Sequence, residues 1–134
     1  MSRENVEVVR RAIEATLRRP DPDWETINAL YHPDHEFLPR DVGLEGSRRG
    51  ARGYRDWLIS ATETIEWEGT LAEVTEIDEE RVLAVTPTTF RGRQSGAETE
   101  QRNASVVTVR EGKVVRTEVF QSREQALEAA GLQE

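Results

Sequence analysis

The chain has 134 residues and a net charge of −8, which fits a single domain over 1–134 that buries roughly two-thirds of its unfolded surface without covalent staples. That acidic balance argues against broad binding to nucleic acid or to an anionic membrane. It has no cysteine, so disulfides, thiolate catalysis and cysteine-ligated metals are excluded together.

After Met1 the sequence enters a charged amphipathic segment, with no apolar run of signal-peptide or membrane-spanning kind, and a cytoplasmic protein is expected. Ser2 suits a helix cap with Glu4 in the first turn, and Val6, Val9, Ile13 and Leu17 recur at spacings of three and four. Arg18 and Arg19 fit the negative end of that helix, and Pro20 stops it. A second helix starts from Asp21 or Asp23, carries Trp24, Ile27, Leu30 and Tyr31 on one face, and ends before Pro33. The segment His35 to Pro39 reads as a short strand, and Asp41 to Arg49 as a loop with two glycines. From Gly50, a third helical stripe comprises Tyr54, Trp57, Leu58, Ala61 and Ile65.

The periodicity then changes. Residues Trp67 to Ile77 alternate loosely, Asp78-Glu79-Glu80 supplies a polar turn, and Arg81 to Phe90 is rich in β-branched residues. Within that run Pro87 implies a bulge or an amide position facing an edge. A turn at Gly92 to Gly96 leads into a long hairpin, Ala97 to Gln121. Its reversal is expected as a three-residue loop, Arg110-Glu111-Gly112, because Glu111 suits the positive φ of a two-residue loop poorly. In that register Val109 faces Lys113, Val107 faces Val115, Ser105 faces Thr117, Asn103 faces Val119 and Gln101 faces Gln121. One face is therefore neutral, with amides and hydroxyls among valines, as small-molecule pockets are. The other collects Arg102, Ala104, Val106, Thr108, Val114, Arg116, Glu118 and Phe120, as a face partly in water or against another subunit would. Ser122 and Gln125 form a capping box for a last short helix, and Gly131 followed by Leu132 is its stop. Helices first and hairpins later imply an α+β fold with helices on one face of the sheet.

This order, with the segments SRENVEVVRRAIEA, LYHPDHEFLP, SGAETEQRNASVVTVREGKVVR and FQSREQALEAAGL, resembles the SnoaL-like branch of the nuclear transport factor 2-like (NTF2-like) superfamily over nearly the whole chain. The resemblance implies a cone-shaped, cystatin-like half-barrel: a strongly curved antiparallel or mixed sheet, covered by N-terminal helices, with a short C-terminal helix. It also implies a pocket at the wide end and homodimers packed through the outer sheet. Polyketide cyclases, ketosteroid isomerases, epoxide hydrolases and dehydratases share that fold, so fold alone does not assign a reaction. The isomerase pattern asks for a tyrosine in the first helix, an aspartate at the end of the first strand and an acid before the final turn. The first helix has no tyrosine, the strand position falls on Leu38 or Pro39, and the hairpin position falls on about Ser105. The Asp-Arg-Asp relay of the epoxide hydrolases has no match, and the late-strand aspartate of the cyclases is replaced by amides, hydroxyls and valines.

His35 and Asp41 remain as candidate acid-base groups, His35 because it shares the strand parity of Phe37 and would titrate near neutrality inside a pocket. The plainer alternative for His35 is an imidazole at the rim bonded to a backbone carbonyl. Gln101, Asn103, Ser105, Thr117, Val119 and Gln121 are the expected ligand-facing stripe, with Tyr31, Phe37, Trp57 and Trp67 as aromatic walls or as plain core. His32 and His35 stand beside Asp34 and Glu36, but Pro33 breaks their presentation, so neither a metal nor a cofactor is expected. The basic cluster Arg48, Arg49, Arg52 and Arg55 could gather an anionic ligand at a pocket mouth; it has too few interleaved aromatics to read as a nucleic-acid surface, and an exposed helix shoulder is the default. Two functions follow. One is a homodimeric domain that holds a small hydrophobic molecule and isomerises, cyclises or dehydrates it; the other is a ligand-binding or dimerisation module without catalysis, whose cone is packed shut or binds without reaction.

Overall fold

The computed structural model describes residues 2–39, 48–63 and 65–131. Helices α1 (Ser2–Leu17) and α2 (Trp24–Leu30) come first, then strand β1 (Tyr31–Pro39), the two-residue strand β2 (Arg48–Arg49) and helix α3 (Gly50–Thr62). Strands β3 (Ile65–Gly69), β4 (Glu73–Glu76), β5 (Arg81–Gly92), β6 (Glu98–Arg110) and β7 (Lys113–Phe120) follow, and α4 (Arg123–Ala129) closes the series. The strands form one curled, mixed sheet in the order β2-β1-β7-β6-β5-β3, with β4 also paired to β5. β1 runs parallel to β7, and every other described pairing is antiparallel.

Local chemistry sets the helix boundaries. Arg19 donates to the carbonyl of Thr16, satisfying part of the last turn of α1, where a cation also suits the dipole. Asp23 is the N-cap of α2, its carboxylate accepting from the Thr26 N–H, so Asp23 rather than Asp21 starts that helix. Ser122 caps α4 by accepting from the Gln125 N–H, while the Gln125 side chain accepts from the Gln121 N–H instead of the cap amide. The α4 stop at Gly131 has φ of 86°; Leu132 lies outside the described residues.

Two strand readings change. The first strand begins at Tyr31, not His35, because β7 offers a partner as early as Val114. The stretch from Trp67 to Ile77 is two strands: β3 and β4 both pair with β5, and the chain turns away between Gly69 and Glu73. Pro87 sits at that break. Its carbonyl accepts from Thr70, so its missing N–H also points toward the gap, and the register with β6 continues unshifted from Arg81 to Arg91. Gly69 packs closely there, since a Cβ would lie 3.1 Å from Thr88 Oγ1 and 3.2 Å from Leu17. Ile65, expected on the third helix, instead opens β3 and is 39% exposed.

The central hairpin differs from expectation at its turn. Arg110 pairs with Lys113 across a two-residue loop, with φ of 52° at Glu111 and 76° at Gly112, the mirror-image geometry that matches strand twist. The ladder then shifts between Thr108 and Val109: Val109 faces Val114 and Val107 faces Thr117, which leaves Val115 as the extra residue of a bulge. The shorter loop and the bulge offset each other in parity. Val114 therefore faces the core, Lys113 and Val115 do not, and Ser105, Val107, Thr117 and Val119 keep the inward aspect assigned to them. The Lys113 ammonium donates to the Ala29 carbonyl, fastening the turn to the end of α2.

Helices cover both faces, not one. Val9, Ala12, Ile27 and Leu30 of α1 and α2 pack on the inner face against Val82, Ala84, Val107, Val109 and Val114. On the outer face Ala126, Leu127 and Ala130 cover Leu83, Val85, Ala104 and Val106. Arg123 of α4 is also paired with Glu73 of β4 at 3.0 Å. Val106 is thus buried within one chain, and the part of the outer sheet expected to meet a second subunit is already occupied there.

Candidate functional site

From the hairpin end toward the opposite end, the inner face reads Val82, Val107 and Thr117; then Ala84, Ser105 and Val119; then Thr86 and Asn103; then Thr88 and Gln101. Aliphatic residues under α1 and α2 fill the first part. At the far part Phe37 and Trp57 form a second cluster, with Trp24, Trp67 and Val119 against it, the Phe37 and Trp57 rings meeting edge to face at 4.8 Å. The polar stripe lies between these two apolar groups. Asn103, Ser105 and Thr117 are 6%, 5% and 4% exposed, whereas Arg102 and Arg116 are exposed on the opposite face.

His35 is fully buried. The bulge in β1 between Tyr31 and Glu36 turns the imidazole inward, where Nε2 lies 3.0 Å from Thr117 Oγ1 and Tyr31 meets the ring edge to face at 4.6 Å. Among the described neighbours no carboxylate is placed to stabilise a charged ring, and burial lowers the imidazole pKa to about 4. His35 is therefore neutral at pH 7, and neither a titration near neutrality nor a rim position holds. Its Nδ1, together with Asn103 Oδ1 and Gln101 Oε1, has no hydrogen-bond partner despite being buried. Such groups are uncommon in folded proteins, and water or a ligand usually completes them.

The other expected site residues divide. Phe37, Trp57, Trp67 and Val119 do form the aromatic cluster over the polar stripe. Tyr31 is buried deeper, among the aliphatic residues beneath α1 and α2. Gln121 is exposed past the end of β7, where the chain turns into α4, and does not line the interior. Asp41 lies outside the described residues. Thr86 and Thr88 extend the stripe on β5 and were not singled out from sequence, although the alternation of Val82, Ala84, Thr86 and Thr88 carried the signal. Thr86 donates to the Asn103 carbonyl at 3.4 Å and Thr88 to the Thr86 carbonyl at 2.8 Å.

Two openings adjoin this region. A cleft of about 780 Å³ has the α1–α2 connection, Trp24, Arg55, Ile59 and Trp67 on one side and the charged residues Glu66, Glu68, Arg91, Arg93 and Glu98 on the other. Arg19 lies over the Trp67 ring at 4.2 Å and Arg55 over the Trp24 ring at 4.8 Å, so both guanidinium groups rest on aromatic faces at its wall. A groove of about 530 Å³ at the β3–β4 break reaches Gly69, Thr88 and Gln101. A third cleft, about 1350 Å³, lies at the hairpin end and is acidic, with His32, Asp34, Glu36, Glu79 and Glu111 among its walls. His32 lines that cleft while His35 faces the interior, so the two do not converge, and no group of three or more candidate ligands is placed to hold a metal among the described residues. Of the basic cluster, Arg48 and Arg49 pair with β1 as strand β2, and Arg52 and Arg55 are exposed on α3.

Known proteins agree with this architecture. No curated protein matches the chain. Among solved structures, an NTF2-like protein from Burkholderia xenovorans LB400 is 25% identical with a TM-score of 0.71, covering 97% of each chain. TerC co-crystallised with polyporic acid is 22% identical with a TM-score of 0.75, covering 93% of this chain and 98% of its own. An LEH-like epoxide hydrolase from M. tuberculosis is 16% identical with a TM-score of 0.67, covering 95% of this chain and 84% of its own. The model of the SnoaL-like domain matches residues 9–117, and on that match the chain belongs to the SnoaL-like family.

Proposed function

We propose that the protein binds a small, largely apolar molecule between the inner face of its sheet and its N-terminal helices, entering past Trp24 and Trp67. The continuity of one aromatic cluster supports the reading: Trp24 and Trp67 line the 780 Å³ cleft and also pack with Phe37, Trp57 and Val119 above the polar stripe. That volume lies within the roughly 300–1,000 Å³ of small-molecule sites. The likeness to TerC, co-crystallised with polyporic acid, is in keeping with it. Binding ranks ahead of catalysis. Isomerisation, cyclisation or dehydration would need an acid or base, and His35, the acid-base candidate among the described residues, is held neutral and weakly basic by burial.

The non-catalytic association reading rests on the filled hairpin end of the cone, where His35, Val9, Ile27, Val107 and Val114 are all essentially buried. A homodimer belongs to the proposal on either reading, formed through the outer face beyond α4, near Leu38 and Phe120. So does a cytoplasmic location without nucleic-acid or membrane partners, on the charge of −8. Among the described residues no helix is long and apolar enough to cross a membrane.

The test is tryptophan emission titrated with a panel of one- to four-ring apolar metabolites. Saturable change that is lost in Trp67→Ala supports the site. Linear, unsaturated responses across the panel, equal in the variant, would remove it.

A further inference from the structure

We infer that the interior selects an uncharged molecule bearing a hydroxyl or N–H donor and discriminates against the carboxylate of the same skeleton. The inference rests on the small-molecule reading above and narrows it to a ligand class.

The unpartnered atoms decide the polarity. Asn103 Oδ1 is buried on a residue only 6% exposed, and Gln101 Oε1 stands at the next inward position of the same strand. A carbonyl oxygen only accepts hydrogen bonds, so what completes these two must donate. A carboxylate in their place would bring negative charge against two desolvated partial negative charges. The third open atom, His35 Nδ1, adapts to its partner. With Nε2 on the Thr117 hydroxyl, the ring accepts at Nδ1 when Nε2 holds the proton and donates there when Thr117 donates to Nε2.

No inward position of β5, β6 or β7 among the described residues carries a cationic side chain to offset an anion. The inward residues of β5, β6 and β7 are aliphatic, aromatic, hydroxyl or amide side chains, and the arginines of β6 and β7 are exposed on the other face. Of the four described arginines at the entrance cleft, Arg19 and Arg55 rest on tryptophan rings, Arg19 also donates to the carbonyls of Trp67, Thr16 and Arg18, and Arg91 and Arg93 are paired with Glu98 and Glu66. A single water beside one amide would explain one orphan; Gln101 lines the groove at the β3–β4 break and Asn103 is the next inward position from it, so one extended, donor-bearing ligand reaching in there would meet both. The inference therefore adds to the apolar requirement a specific polar one, and fixes its sign.

Calorimetric titration at pH 7 with three probes of one skeleton tests it: naphthol, methoxynaphthalene and naphthoate, substituted at the same ring position. The expected order has naphthol at least about ten-fold tighter than either of the others, as a site with unpaired acceptors discriminates against analogues without a donor. In Asn103→Leu, similar in volume, that advantage shrinks to under about three-fold with binding of methoxynaphthalene retained. Should that variant not fold by thermal melt, Gln101→Met carries the same comparison. Naphthoate binding as tightly as naphthol overturns the inference, as does a naphthol advantage that persists in both variants. Naphthol and methoxynaphthalene binding equally removes the donor requirement while leaving the small-molecule reading intact, and failure of all three to bind removes both.

Discussion

Lowering the pH should destabilise this fold through one residue, His35. Its imidazole is fully buried, with Thr117 Oγ1 at Nε2 and the Tyr31 and Phe37 rings beside it, and its pKa falls to about 4. The unfolded chain binds that proton at an ordinary histidine pKa of about 6.5, so between the two values the unfolded state holds more protons and stability falls as pH falls. The stabilisation is complete above about pH 7.5, about 2 kcal/mol of it is gone near pH 5, and about 3 kcal/mol near pH 4. Urea unfolding followed by tryptophan emission, compared at pH 7 and pH 5 for wild type and His35→Phe, isolates the effect. Phenylalanine keeps the ring packing and cannot titrate, while the carboxylates paired with arginine, Glu73 and Asp78, contribute equally to both proteins. The wild type should lose about 2 kcal/mol more than the variant over that range. Parallel losses would refute the reasoning, because they would mean His35 reaches solvent or a counter-charge in the folded state.

Further predictions concern the elements that hold the inner face in place. Ser122→Ala should cost about 1 kcal/mol in urea unfolding, because the α4 amide of Gln125 loses its cap. Gly112→Ala should cost about 1 kcal/mol, with φ of 76° and no atom within 4 Å of the added Cβ, so that the penalty is conformational; Glu111→Asn should recover roughly 0.5 kcal/mol. Since the chain has no cysteine, single cysteines report facing directly: Asn103→Cys should react with a thiol reagent at least about a hundred-fold more slowly than Arg102→Cys, and comparable rates would mean the strand is turned over.

Much of this fold was legible from sequence because the long periodic segments carry their own signal. Val9 and Ile13 repeat at helical spacing and are buried together, and the valines of β6 and β7 alternate as the sheet requires. Asp23 and Ser122 mark helix starts by side-chain chemistry that needs no tertiary information. What was misread depended on neighbours distant in sequence. Glu111 at positive φ argues against a two-residue loop in isolation, but strand twist outweighs its preference, and the Val115 bulge then restores the parity of Thr117 and Val119. The break between β3 and β4 follows from Pro87 on the strand opposite, and the burial of Val106 follows from α4, more than fifteen positions away in the chain. For the candidate site, residue identity located His35 and the amide stripe, while their chemistry turned on burial, which holds the imidazole neutral and closes Asn103 Oδ1 off without a donor.

The most direct test of a ligand-holding interior is a crystal structure of the protein as purified, with naphthol soaked in. The account predicts continuous density beneath Trp57, with a donor atom within about 3 Å of Asn103 Oδ1. An interior filled entirely by protein side chains, with the Asn103 amide oxygen bonded to one of them, would contradict it.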